Sequence, residues 1–219
     1  MLIIKNITLR NFLSCGNVTQ TIELNKNGLS LVLGENLDLG GNGSRNGVGK
    51  STILQAISFG LYGESLTNIK KDNLINKINN KNMLVTLSFD KDGTSYRIER
   101  GRKPNVLQFY VNDIEQEAEE TDDAQGDMRE TQKDLDELLG MSHDMFKHIL
   151  ALNTYTEPFL SMRANDQRVI IEQLLGITIL SEKADRLKEL VKETKDTIFQ
   201  ETANIEAVKK SNEKIQQSI

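Results

Sequence analysis

An α/β fold, a mixed sheet with an antiparallel meander followed by a long coiled-coil helix, is predicted by three observations on this 219-residue chain. Short runs of alternating apolar and polar residues occur before residue 35 and again over 83–114. A glycine-rich loop followed by a helix-spaced segment separates the two sets of runs. After Gly176 neither glycine nor proline occurs as far as Ile219, and the apolar spacing there alternates four and three.

The elements follow in order. Residues 2–9 and 18–24 read as strands, and the apolar run 29–33 reads as a third, buried strand leading into the loop. Over 50–61, Ile53, Leu54, Ile57 and Leu61 fall on one helical face, and Gly60 and Gly63 mark the helix end. Val85, Leu87 and Phe89 alternate, Asp92-Gly93 makes a turn, Tyr96 and Ile98 alternate again, and Leu107, Phe109 and Val111 follow, which gives the meander of 83–114. Residues 115–128, centred on Glu119-Glu120-Thr121-Asp122-Asp123, read as an acidic loop entering a short helix over 129–139. A strand is expected at 149–152, within a segment 149–160 that returns below. Gly176 caps a preceding helix and divides the chain into a head, 1–176, and an outgoing helix, 177–219.

That helix has a heptad register, with Ala184, Val191, Ile198, Ile205, Asn212 and Ile219 at a and Leu180, Leu187, Thr194, Glu201, Val208 and Ile215 at d. An apolar stripe of this kind needs a partner helix. Asn212 at an a position would fix register at some cost in stability.

Composition excludes more than it selects. With 27 Lys+Arg against 32 Asp+Glu the formal charge is −5, so this is no basic nucleic-acid module and any DNA contact must come from local patches or a partner. The candidates are Lys70, Lys71, Lys77 and Lys81, or Arg97, Arg100, Arg102 and Lys103. One cysteine, Cys15, rules out an internal disulfide framework and suits a reducing cytoplasm, where it reads as a small apolar side chain. No apolar run approaches a membrane span and no signal-peptide pattern opens the chain, so a soluble cytoplasmic protein is expected. His143 and His148 lack metal-ligand spacing.

The chemistry lies in Gly47-Val48-Gly49-Lys50-Ser51-Thr52. A triphosphate needs many donors close together, and glycines let successive backbone N–H groups turn inward around its oxygens. Lys50 places a point charge on the β and γ phosphates and Ser51 offers its hydroxyl to Mg²⁺. The helix that starts near Lys50 directs its N-terminal dipole at the anion. The chain is thus expected to bind ATP and Mg²⁺. The usual first glycine, six residues before the lysine, is replaced by Ser44. Either Gly34-Glu35-Asn36 opens a loop spanning 34–52 that residues 37–46 interrupt, or Asn46 acts directly.

These motifs resemble those of the chromosome-maintenance-like ATPases of DNA repair, over nearly the whole chain. Leu9-Arg10-Asn11-Phe12-Leu13-Ser14 is similar to the family's first-strand motif, and Asn36, the loop and Ile53-Leu54-Gln55-Ala56-Ile57 to its nucleotide loop and first helix. Leu138-Leu139-Gly140-Met141 with Phe146 is similar to the approach to its Q-loop. Within the family the likeness is to the SbcC-type ATPase subunit of the double-strand-break nuclease complex, in its tailed-bacteriophage recombination-endonuclease form.

The resemblance implies the N-terminal lobe of an ABC-type ATPase head. It assigns Arg10, Asn11 and Ser14 to the base or ribose, and Lys70 and Asp72 to a nucleotide-side segment. Asn153 stands at the Q-loop position that reaches metal and attacking water, with an asparagine where the family has glutamine. It further implies a second head forming a homodimer, a nuclease subunit docked near 177–198, double-stranded DNA as the object acted on, and the host cytoplasm as location. The signature motif, the Asp-Glu that follows four apolar residues, and the switch histidine do not follow the loop. The chain is therefore expected to be an N-terminal half that is inactive without its C-terminal half. A transporter-type cassette would carry those motifs within this length. A recombination mediator with a similar head and no nuclease partner stays open.

Overall fold

A computed structural model describes residues 2–26, 28–37, 47–116, 124–152 and 157–217. The chain divides into two compact units, 1–162 and 163–219.

The first unit is built on one six-stranded sheet in the order β2-β1-β3-β4-β5-β6, from β1 (Leu2–Arg10), β2 (Gln20–Glu23), β3 (Met83–Lys91), β4 (Thr94–Arg102), β5 (Val106–Val111) and β6 (Ile114–Gln116). Every pairing among these strands is antiparallel, so the predicted meander is present and the mixed character is not seen among the described residues. The period of two explains which face packs. Ile7, Leu9, Val85, Leu87, Phe89 and Ile98 are buried on one face, whereas Thr8, Thr86, Ser88, Arg97 and Glu99 are only part-buried on the other. Asp92 and Gly93 both have positive φ and make the two-residue turn between β3 and β4 that the twist of a hairpin favours. Phe89, Tyr96 and Phe109 stack across three neighbouring strands, with ring centroids 5.3 and 5.8 Å apart.

Helix α1 (Lys50–Tyr62) lies on the buried face. Gly60 is inside this helix and lets it approach β3; a Cβ there would sit 3.5 Å from Leu87 and Val85. Gly63 alone ends it, in the left-handed region with its N–H bonded to the Phe59 carbonyl. Beyond its first turn α1 is buried nearly all round, and Leu54, expected on the packed face, is exposed. Helix α2 (Ala124–Leu139) starts five residues earlier than the acidic composition suggests. It buries Thr131, Leu135 and Leu139, spaced four apart. Residues 117–123, the centre of the predicted acidic loop, lie outside the described residues.

Two predicted strands are replaced. Residues 29–33 form no strand, and Leu29, Leu31, Val32 and Leu33 are exposed. An apolar run becomes a strand only when another strand takes its backbone groups, and none of the described strands does. Residues 149–152 are not a strand either. Ser142 caps the short helix α3 (His143–Met145) by accepting the Met145 N–H at 3.2 Å, and the chain continues as a π-turn over Phe146–Leu150. The short apolar run there fits helix and strand equally, and the serine cap decides.

The second unit holds α4 (Ala164–Leu174) and α5 (Thr178–Gln217). Gly176, at φ 65°, closes α4 as predicted: its N–H reaches the Gln173 carbonyl at 3.0 Å, and the Ile177 N–H reaches that of Glu172 at 2.9 Å. That pair of bonds is a Schellman motif. At about 1.5 Å per residue the 40 residues of α5 extend on the order of 60 Å. The heptad positions Leu187, Val191, Ile198, Ile205, Val208 and Ile215 are all exposed, and Ile219 lies outside the described residues.

Candidate functional site

The turn after β1 and the start of α1 meet around a cavity of about 400 Å³. The loop side is made by Gly47, Val48, Gly49, Lys50 and Thr52, and the other walls include Leu9, Ser14, Cys15, Gln20 and Ile22. Gly47 and Gly49 have φ of 76° and 82°, a region that L-residues avoid. Gly49 also needs the space of a missing Cβ, which would lie 2.9 Å from the Ser14 hydroxyl. Ser14 is in turn 3.2 Å from the Thr52 hydroxyl, so the first-strand motif is fastened to the first turn of α1. No acidic residue and no side-chain cap stands in that first turn. The helix N-terminus therefore presents backbone donors and a positive dipole end toward the loop, with the cationic Lys50 in the cavity wall.

Gly34, which opens the loop in one of the two readings, lies close to Val48. A Cβ there would lie 2.1 Å from the Val48 side chain, a distance no side chain tolerates. The backbone before the interruption is thus packed against the Val48 side chain after it. Val32 and Leu33, just upstream, line the same cavity.

The other predicted site residues separate into groups. Ser14, Gly47, Val48, Gly49, Lys50 and Thr52 are brought together at the cavity. Ser51 is exposed beside it and Asn36 is part-buried two residues beyond Gly34. Arg10 ends β1, its Nε 3.4 Å from the Asn82 carbonyl. Asn11 is only 1% exposed. Its amide donates to the Lys81 carbonyl at 2.9 Å and accepts from Asn79 at 2.7 Å, and with φ 51° it turns the chain out of the sheet. Those bonds let it shape the β1 turn. Lys70 and Asp72 are exposed, and Asp72 is bound 2.7 Å from Arg102, whose guanidinium holds the carboxyl below its ordinary pKa. Asn46 and Asn153 lie outside the described residues.

Cavity residues that the sequence reading passed over are Cys15, Gln20 and Ile22. The Cys15 thiol donates to the Gln20 Oε1 at 3.6 Å, and partial burial raises its pKa, which keeps it protonated. The loose alternation of 18–24 located the strand of Gln20 and Ile22 but could not say that it flanks the loop. Among the described residues no cluster of His, Cys, Asp or Glu is placed to hold a metal. The residues present do fit a Mg²⁺ that arrives with a triphosphate, since such an ion draws most of its ligands from phosphate oxygens and water and needs from the protein little more than the Ser51 hydroxyl. No helix among the described residues is long and apolar enough to cross a membrane.

A glycine-rich turn in the left-handed region that runs into a lysine at a helix N-terminus, set against the turn after β1, marks a phosphate-loop nucleotide-binding protein. The chain belongs to the AAA domain family, which it matches over residues 6–219. It is 34% identical to exonuclease subunit 2 of Enterobacteria phage T4 over 86% of this chain and 31% of that protein. It is 28% identical to the DNA double-strand break repair Rad50 ATPase of Methanocaldococcus jannaschii, over 88% of this chain and 17% of that one. The chain thus spans under a third of the length of these relatives. A solved structure described under ATP-driven dimerization and DNA stimulated activation of SMC ATPases superposes with a TM-score of 0.50 at 20% identity, covering 78% of this chain and 99% of the other. The fold is therefore that of an ATPase head of this type, and the SbcC-like resemblance holds.

Proposed function

We propose that this chain is the nucleotide-binding N-terminal half of the ATPase subunit of a DNA double-strand-break nuclease complex, working in the cytoplasm of a phage-infected cell. The observation that carries the reading is the loop itself, with Gly49 in the left-handed region directly before Lys50 at the start of α1 and Gly34 packed behind Val48. The names and sequence likeness of the phage exonuclease subunit and the Rad50 ATPase support the assignment of pathway.

In this reading Lys50 and the N–H groups of 47–52 hold the β and γ phosphates, and Ser14 and Thr52 fix the loop against the β1 turn. Ser51 and Asn153 meet the Mg²⁺, which when bound draws charge off the γ-phosphate. The signature motif and the catalytic Asp-Glu come from the C-terminal half. Two heads close over two ATP molecules, because each γ-phosphate joins surfaces that otherwise separate, and hydrolysis releases them. The movement passes along α5 to a nuclease subunit docked at the root of the coil, over 177–198, and sets its access to double-stranded DNA ends.

The test is Mg²⁺-ATP affinity and turnover of this chain alone and after addition of the C-terminal half, with Lys50→Ala as control. Binding by the chain alone, and turnover only with both halves, is the expected result. Steady turnover by the isolated chain, or ATP binding that Lys50→Ala leaves intact, would overturn it.

A further inference from the structure

A second cavity, of about 380 Å³, lies between the end of α1, the turn from β4 to β5 and the first half of α2. Its lining includes four cationic side chains, Lys71, Arg100, Arg102 and Arg129, and one carboxylate, Glu64. The Glu64 carboxylate is 3.2 Å from His143, and Arg102 is taken by Asp72 at 2.7 Å. Lys71, Arg100 and Arg129 have no carboxylate partner among the described ion pairs.

Arg100 forms the floor. Its Nε donates to the Gly60 carbonyl at 3.2 Å, which caps the C-terminal end of α1, and its Nη2 donates to the Gln132 Oε1. The orientation of Gln132 is itself fixed, because its Nε2 donates to the Leu61 carbonyl and to Asp136. Capping therefore uses one edge of the guanidinium and a neutral amide another. Gly63 leaves room for the third nitrogen, since a Cβ there would lie 2.6 Å from Nη1. Burial holds the Arg100 pKa down to about 10, against the opposing effect of Asp136. Tyr62, 6% exposed, also lines the cavity, and its hydroxyl is buried without a hydrogen-bond partner among the described residues. Phe59, Val106, Leu107 and Met128 supply apolar wall.

We propose that this cavity is a second anion site, separate from the phosphate loop, that binds a phosphate monoester with its phosphoryl group on Arg100, Lys71 and Arg129 and its organic part against the apolar wall. Several cations in one lining, one of them a guanidinium held by fixed partners, together with apolar side chains match a dianion carried on an apolar body.

The probes are inorganic phosphate and phenyl phosphate, titrated calorimetrically into the Lys50→Ala chain so that the loop does not contribute. The expected result is one saturable site that takes phenyl phosphate more tightly than phosphate. Lys71→Glu with Arg129→Glu, both exposed positions that leave the core untouched, should weaken it by at least about tenfold, as expected when charge-assisted contacts are removed. Arg100→Lys, which keeps the charge but loses the fork, should weaken it as well while circular dichroism stays unchanged. Absence of saturable binding in the Lys50→Ala chain, or binding that the double reversal does not alter, would overturn the site.

Discussion

At the scale of single residues the site is decided by where glycine is obligatory. Gly49 combines φ 82° with a Cβ position 2.9 Å from the Ser14 hydroxyl, so both backbone and neighbour oppose a side chain. Gly49→Ala should cost about 1–2 kcal/mol of left-handed strain, and because the strain falls on the loop it should lower Mg²⁺-ATP affinity by about tenfold or more. Calorimetric titration beside the parent chain checks this. Gly16→Ala, where a Cβ meets nothing within 4 Å, is the control and should bind as the parent does. The loop was legible in the sequence because glycine, lysine and serine at fixed spacing have one common physical use. Asn11 was not legible in the same way. Its bonds to Lys81 and Asn79 come from residues some seventy positions away that no local pattern displays.

Among the elements, α1 and α3 are joined by a buried polar contact that the sequence did not announce. Ser58, wholly buried in α1, lies 2.9 Å from His143 Nε2 and donates to the Glu64 carbonyl at 2.8 Å. His143 Nδ1 faces the Glu64 carboxylate at 3.2 Å, and Tyr62 packs on the ring with centroids 5.4 Å apart. Burial lowers the His143 pKa, and nearby Lys147 adds to this, against the opposing effects of Glu64 and Asp144. A folded-state pKa below the unfolded value of about 6.5 means that the unfolded chain binds the proton first. The stabilisation from neutral His143 is therefore complete above about pH 6.5 and is lost as the pH falls through the interval below it. Thermal unfolding of the parent chain at pH 7.5 and 5.5 should show a larger drop than that of His143→Gln, which keeps hydrogen-bonding capacity and cannot titrate. For α5 the structure bears out a long helix, and the apolar heptad positions stand exposed along it. Ile198→Asp should leave the thermal unfolding of the parent chain nearly unchanged, since Ile198 is already exposed. An unfolding midpoint lowered by several degrees would show that the chain itself covers this stripe.

The whole molecule shows why the meander was readable and the run 29–33 was not. Each meander strand pairs with its sequence neighbour through a short turn, so the pattern and its partner sit side by side in the chain. An apolar run without alternation signals a strand buried on both faces, and its neighbours come from anywhere in the fold. Here Leu29, Leu31, Val32 and Leu33 are exposed and unpaired by the described strands, while Val32 and Leu33 already stand in the wall of the loop cavity. The relatives extend to more than three times the length that this chain matches. If the proposed C-terminal half completes the head, strands from it should take up the backbone groups of this run and cover its side chains, which fixes the loop's upstream anchor, Gly34, against Val48. Hydrogen exchange gives a direct reading. Amides over 29–33 should exchange rapidly in this chain alone and become protected when the C-terminal half is added, while amides of β3 and β4, already paired, should change little. Protection should appear in Lys50→Ala as well, since it comes from strand pairing and not from nucleotide. Joined halves that hydrolyse ATP yet leave 29–33 unprotected would show that the run serves another surface, and that the loop is anchored without it.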